Sequence, residues 1–210
     1  MYRAKKDLIL ASASPRRREL LSRMGIKFSI VTSGVEETLC GELDPAVHTR
    51  NCARAKVDRA ASMVGADREF WFLGVDTIVV IDGLILGKPK GKDQAREFLG
   101  RLSGNWHKVV SGYHLFHRPG AERVSNSVSS RVLIKKLGAD EIEAYVSTKE
   151  PYDKAGAYAA QGIGAGLIKE IQGSYTNVVG LPLAELIDEM MRLEIIELAG
   201  PGPRERIARE

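Results

Sequence analysis

The chain has 210 residues, enough for one domain or one bilobal unit with a substantial core. With 44% hydrophobic and 28% charged residues it reads as a folded soluble protein, which excludes an intrinsically disordered chain. The net charge of +4, with acids and bases interleaved, tolerates an anionic ligand but is too mild to point to nucleic acid as a partner.

Leu8 to Ala11 reads as a short buried strand. A helix follows: Ser14 suits the N-cap, Pro15 the first helical position, Leu20, Leu21 and Met24 give an apolar face, and Gly25 stops it. Lys27 to Thr32 reads as a second strand. Asp44-Pro45 opens a long helix in which Ala53, Val57, Ala60, Ala61 and Val64 recur at helical spacing. Phe70 to Ile81 is an apolar strand, joined through an Asp82-Gly83 turn to a return strand at Leu84 to Leu86.

Gly91 to Leu102 fits a short helix. Trp106 to Phe116 and Arg123 to Leu137 read as a hairpin around Pro119-Gly120. Asp140 to Thr148 is expected as a helix, Leu167 to Ile171 as a strand and Leu183 to Leu198 as the terminal helix. The tail from Gly200 to Glu210 is expected to fray. The predicted fold is α/β, with helices flanking a mixed sheet, two lobes within residues 1–199 and a cleft between them.

Cys40 and Cys52 lack a C-x-x-C spacing, so the sequence supports neither a zinc site nor a disulfide framework and fits a reducing compartment. The charged start is followed by too few apolar residues for a signal peptide. No run approaches the roughly 18–20 apolar residues of a membrane span. A cytoplasmic protein with no membrane partner is expected.

Asp76 is the most informative residue, a carboxylate in the middle of an apolar strand. An isolated buried carboxylate is costly, so it needs a cation, a metal or a chemical task. Its neighbour Thr77 should point to the opposite face, so a site using both requires the strand to end, twist or bulge. A structural Asp neutralised by a backbone or Arg partner is the competing reading.

Ser12, Arg16 and Arg17 sit where a strand gives way to a helix, whose free N–H groups attract anions. Cations there oppose the helix dipole unless an anion binds; a solvated basic helix start would look the same. Glu37 follows a strand and could join Asp76 on a hard divalent cation, although acidic pairs in loops are common. Lys56 lies on the flank of the long helix, and Arg54 on the other flank has equal geometric standing.

Gly87-Lys88-Pro89 lacks the P-loop pattern, and residues 162–166 lack the context of a dinucleotide fingerprint. His114 and His117 should face opposite ways on one strand and not share a metal. Small residues surround Lys154, Tyr158 and Gln161, and the Gln161 amide can both donate to and accept from a base edge.

The motifs LILASASPRRRELL, VEE at Val35 to Glu37, GVDTIVV, LGKP, LSG, DKAGAYAAQG and GSYTNVVGLPL occur in order from about Leu8 to Leu186. Together they resemble the Maf family of nucleoside triphosphate pyrophosphatases, also called septum-formation-inhibitor proteins. The resemblance implies an architecture like that of inosine triphosphate pyrophosphatases, usually dimeric. It also implies cleavage of a nucleoside triphosphate to the monophosphate and pyrophosphate with Mg²⁺, or Mn²⁺ or Co²⁺ in its place. Asp76 matches the catalytic acid of the family and, with Glu37, the metal site. Arg16, Thr77 and Gln161 match positions of substrate choice, and Ser12, Arg17, Lys56 and Lys88 match further substrate-binding positions. The D-K-A-G-A-Y-x-x-Q-G pattern resembles the dTTP and UTP branch; Val75 and Ala160 depart from the residues usual there. A non-enzymatic protein that affects cell division by binding a partner is the competing class.

Overall fold

Leu8, Ile9 and Leu10 are all buried because their strand runs inside a sheet covered on both faces. The computed structural model describes residues 1–35, 44–65, 68–120 and 122–200. Its first half holds strand β1 (Tyr2–Ala4), β2 (Leu8–Leu10), helix α1 (Pro15–Arg23), β3 (Ser29–Ile30), α2 (Pro45–Met63), β4 (Phe70–Ile81) and β5 (Leu84–Leu86). Helix α3 (Lys92–Leu102), β6 (Trp106–Arg118), β7 (Arg123–Ile134) and α4 (Ala139–Val146) follow. After three 3₁₀ turns come β8 (Ile168–Gln172), α5 (Tyr175–Val179), α6 (Leu183–Arg192) and β9 (Ile196–Leu198).

The main sheet has the order β3-β2-β4-β6-β7-β8, with β5 also paired to β4. β2 is parallel to both β3 and β4, and the remaining pairs are antiparallel. This is a mixed α/β architecture with helices flanking a mixed sheet. The long strands β4 and β6 feed the two largest apolar clusters. One gathers Leu21, Leu73, Tyr113, Leu186 and Met190, and the other Val79, Leu99, Leu102, Val132 and Ile134.

Helix α2 fixes the geometry that follows. Asp44 Oδ1 caps it by accepting from the N–H groups of Ala46 and Val47. The helix then packs on two glycines of the sheet. A Cβ on Gly74 would lie 2.2 Å from the Ala53 carbonyl oxygen, and one on Gly112 2.5 Å from the Thr49 carbonyl carbon. Only glycine at both places lets the helix backbone approach this closely.

Several expected boundaries shift. The strand at Lys27 to Thr32 is confined to Ser29–Ile30, on the exposed edge of the sheet. The terminal helix ends at Arg192 instead of Leu198; Glu194 turns with φ 53°, and β9 pairs with β1. Ile195 and Ile196 are buried by that pairing, so the apolar pattern outlasts the helix. Residues 201–210, expected to fray, lie outside the described residues.

Candidate active site

Strand β4 is longer than its neighbours on one side, and this creates the site. One edge pairs with β6 continuously from Phe70 to Val80. The other edge pairs with β2 only at Trp71–Leu73 and with β5 only at Val79–Ile81, which leaves residues 74–78 without a strand partner among the described residues. A cavity of about 1090 Å³ opens there, walled by residues 11–17, the middle of β4, Gly87-Lys88, residues 152–155 and 158–160, and residues 178–180. Main-chain groups at a gap in strand pairing are free to meet side chains or ligand.

Lys56 reaches into this gap from α2. Its Nζ donates to Asp76 Oδ1 at 2.6 Å and to the Val75 carbonyl at 3.3 Å. Asp76 is 1% exposed, and its Oδ2 has no hydrogen-bond partner among the described residues. His48, Cys52 and Lys56 form a stripe at helical i, i+4, i+8 spacing. Ligand atoms of His48, Cys52 and Asp76 all lie within 4.8 Å of one another, a grouping consistent with a divalent cation. Cys52, however, is disulfide-bonded, which the sequence reading did not support. A disulfide sulfur coordinates poorly, which leaves His48 and Asp76 as the donors of the group. Arg54, on the other flank of the helix, is exposed and pairs with Asp58.

Thr77 faces the other way. β4 shows neither a bulge nor a break here, since Asp76 pairs with Gly112 and Thr77 with Ser111 in unbroken register. Thr77 lines the cavity, whereas Asp76 stands behind Lys56 on the helix-facing side of the strand. Arg17 ties the Thr77 face together. Its Nε donates to the Gly180 carbonyl at 2.8 Å, Nη1 to Ser12 Oγ at 3.1 Å and Nη2 to Thr77 Oγ1 at 3.1 Å. Thr77 Oγ1 also lies 2.8 Å from Ser111 Oγ, which donates to the Asn177 carbonyl. Asn177 is fully buried, and its amide nitrogen donates to the Val109 carbonyl and to Ser130 Oγ. A chain of hydroxyls thus locks the 177–180 segment onto the sheet.

The mouth of the cavity is charged. Arg16 Nη1 lies 3.6 Å from Asp153 Oδ2, and Lys154 pairs with the same Asp153 and donates to the Glu150 carbonyl. Deeper in, Tyr158 is buried on the wall with its hydroxyl 2.8 Å from His107 Nε2. Burial pushes the His107 imidazole down to about 4, so this histidine is neutral at pH 7.

Residues 7–193 match the Maf-like protein family model. The chain belongs to the Maf family. A dTTP/UTP pyrophosphatase of Geotalea uraniireducens is 45% identical over 94% of this chain and 100% of its own length. One of Syntrophus aciditrophicus is 44% identical over 93% of this chain and 94% of its own. Weaker likenesses exist among solved structures. A nucleoside-triphosphatase / dITP/XTP pyrophosphatase from Mycobacterium abscessus has a TM-score of 0.43 at 16% identity, covering 89% of this chain and 97% of that one. The Staphylococcus aureus Ham1 protein has a TM-score of 0.46 at 15% identity, covering 88% and 100%.

Of the residues singled out by the Maf resemblance, Ser12, Arg16, Arg17, Lys56, Thr77 and Lys88 line the cavity. Asp76 stands directly behind Lys56. Gln161 is half-buried and adjoins Ala160 on the wall without lining it, and Glu37 lies outside the described residues. The leftover Asp76 Oδ2 suits a hard divalent ion, because it is a buried carboxylate oxygen with no donor among the described residues. Sequence reasoning missed His48, Ser111, Asp153 and Asn177. The helical stripe through Lys56 was a signal for His48, and Asp153 and Asn177 lay inside the motifs DKAGAYAAQG and GSYTNVVGLPL without being assigned a role; nothing local marked Ser111.

Proposed function

We propose that this chain hydrolyses dTTP and UTP to the monophosphate and pyrophosphate by attack of water on the α-phosphorus. The reading rests on one observation above the rest. A fully buried carboxylate, with one oxygen on Lys56 and the other without a partner among the described residues, stands behind the Lys56 side of a cavity where β4 is paired on one edge only. An unsatisfied buried acceptor costs about 1–3 kcal/mol, so fold stability alone does not explain it. Curated relatives at about 45% identity named for this activity support the reading.

Asp76, with Glu37, would hold a divalent ion such as Mg²⁺, which supplies charge neutralisation on phosphate oxygens. Lys56 orients Asp76 by its 2.6 Å contact. Arg16 and Lys88 stand at the mouth, where they neutralise phosphate oxygens during transfer. Arg17 already gives three donors to protein, so it fixes the Thr77 and Gly180 wall while adding positive charge. Gln161 selects the base through an amide that both donates to and accepts from its edge, and Thr77, held by Arg17 and Ser111, shapes the wall the base must fit.

The test is pyrophosphate release from dTTP, UTP, CTP and GTP by purified protein with Mg²⁺. The expected result is release from dTTP and UTP at least about 10-fold faster than from the other two. Release from none of the four would overturn the reading.

A further inference from the structure

Gln161 sits between two anchored ends of a loop, and both anchors lead to one carboxylate. Glu150 Oε1 accepts from the Ile163 N–H at 3.0 Å, and its Oε2 accepts from the Gly164 N–H at 2.7 Å. The Tyr145 hydroxyl donates to the same Oε2 at 2.7 Å and accepts from the Ala159 N–H at 3.2 Å. Tyr145 is buried, and burial raises its phenol well above the ordinary range, so it stays a neutral donor. The carboxylate and phenol therefore brace the chain on both sides of residues 160–162.

The fit is close. A Cβ on Gly162, where φ is +83°, would lie 2.2 Å from Glu150 Oε1, and one on Gly164 would lie 2.5 Å from the Tyr145 hydroxyl. The backbone wraps onto these two side chains as it could not with larger residues. Ala159 and Ala160, at one end of the braced stretch, form part of the cavity wall. These contacts thus connect Glu150 to the wall at Ala159 and to both sides of Gln161.

We propose that Glu150, acting through Tyr145 and the 163–164 backbone, is a positioning residue that sets base discrimination by holding Gln161 in register with the cavity. The inference rests on the reading that Gln161 recognises the base. Glu150 itself lies outside the cavity wall and makes no contact with substrate in this account.

Three variants test it together: Glu150→Gln, Tyr145→Phe and Gln161→Ala, each measured for kcat and KM with UTP and CTP and for Tm. Glu150→Gln replaces an acceptor oxygen by an NH2 group facing an N–H donor, and Tyr145→Phe cuts the link to Ala159 while leaving the carboxylate in place. The expected result is that both reduce the UTP-over-CTP preference on the order of 10-fold, through KM and with kcat within about 3-fold, as does Gln161→Ala. Glu150→Asp is expected to recover part of the preference. A preference unchanged in Glu150→Gln and Tyr145→Phe but altered in Gln161→Ala would leave Glu150 a purely structural brace and overturn the proposal. A preference unchanged in all three would overturn the Gln161 reading, and the proposal with it. Should Glu150→Gln fail to fold, Tyr145→Phe decides between the same outcomes.

Discussion

Lys56 and Asp76 meet at 2.6 Å with side chains only 7% and 1% exposed, so neither charge is solvated by bulk water. Such pairs add little net stability, but removing one partner strands the other charge in the interior. Asp76→Asn is therefore expected to do two separable things. It should lower kcat/KM by about 10³-fold or more, since the ionised acid is lost. It should also reduce stability by up to ~3 kcal/mol, because the buried Lys56 ammonium loses the carboxylate charge at 2.6 Å from it. Adding Lys56→Met to Asp76→Asn should restore much of the stability and none of the activity. Turnover and thermal melts on both variants check this. A single variant that keeps more than about a tenth of wild-type activity would remove Asp76 from the chemistry.

At the scale of elements, the site depends on how closely α2 can approach β4 and β6. Gly74 and Gly112 flank Asp76 on the helix-facing side, and a Cβ at either meets helix backbone, which cannot swing away as a side chain would. Gly74→Ala is expected to cost about 1–3 kcal/mol as an overpacking change. It should push Lys56 away from Asp76 and so lower activity as well as Tm. Gly138→Ala, where a Cβ meets nothing within 4 Å, should leave both unchanged. Equal melting temperatures for the two variants would contradict the close-packing account. Strong periodic elements such as α2 and β4 were legible in the sequence, because their burial patterns repeat locally. The pairing of β9 with β1 was not. It joins the two ends of the described chain, and the apolar Ile195 and Ile196 merely prolong a helical pattern when read alone.

Across the whole molecule, chemistry-bearing residues from distant segments converge because one long strand outruns its partners. Asp76 could be found in the sequence since a lone acid among aliphatics violates the cost of burying charge. The open strand edge that sets Thr77 on the cavity wall, with Asp76 behind Lys56, could not. Alternation along a strand puts them on opposite faces, and the open edge between β2 and β5 becomes visible only once the sheet register is known. The hydroxyl chain from Thr77 through Ser111 to Asn177 was hidden for a similar reason, as its members lie far apart in sequence. Glu37 was a family-derived expectation that falls outside the described residues.

Hydrolysis of dTTP in ¹⁸O-labelled water, followed by mass analysis of both products, tests the central claim most directly. Water guided to the α-phosphorus at this cavity should place the label in the monophosphate, leave pyrophosphate unlabelled, and give neither product with Asp76→Asn. Label appearing in pyrophosphate or orthophosphate would contradict it.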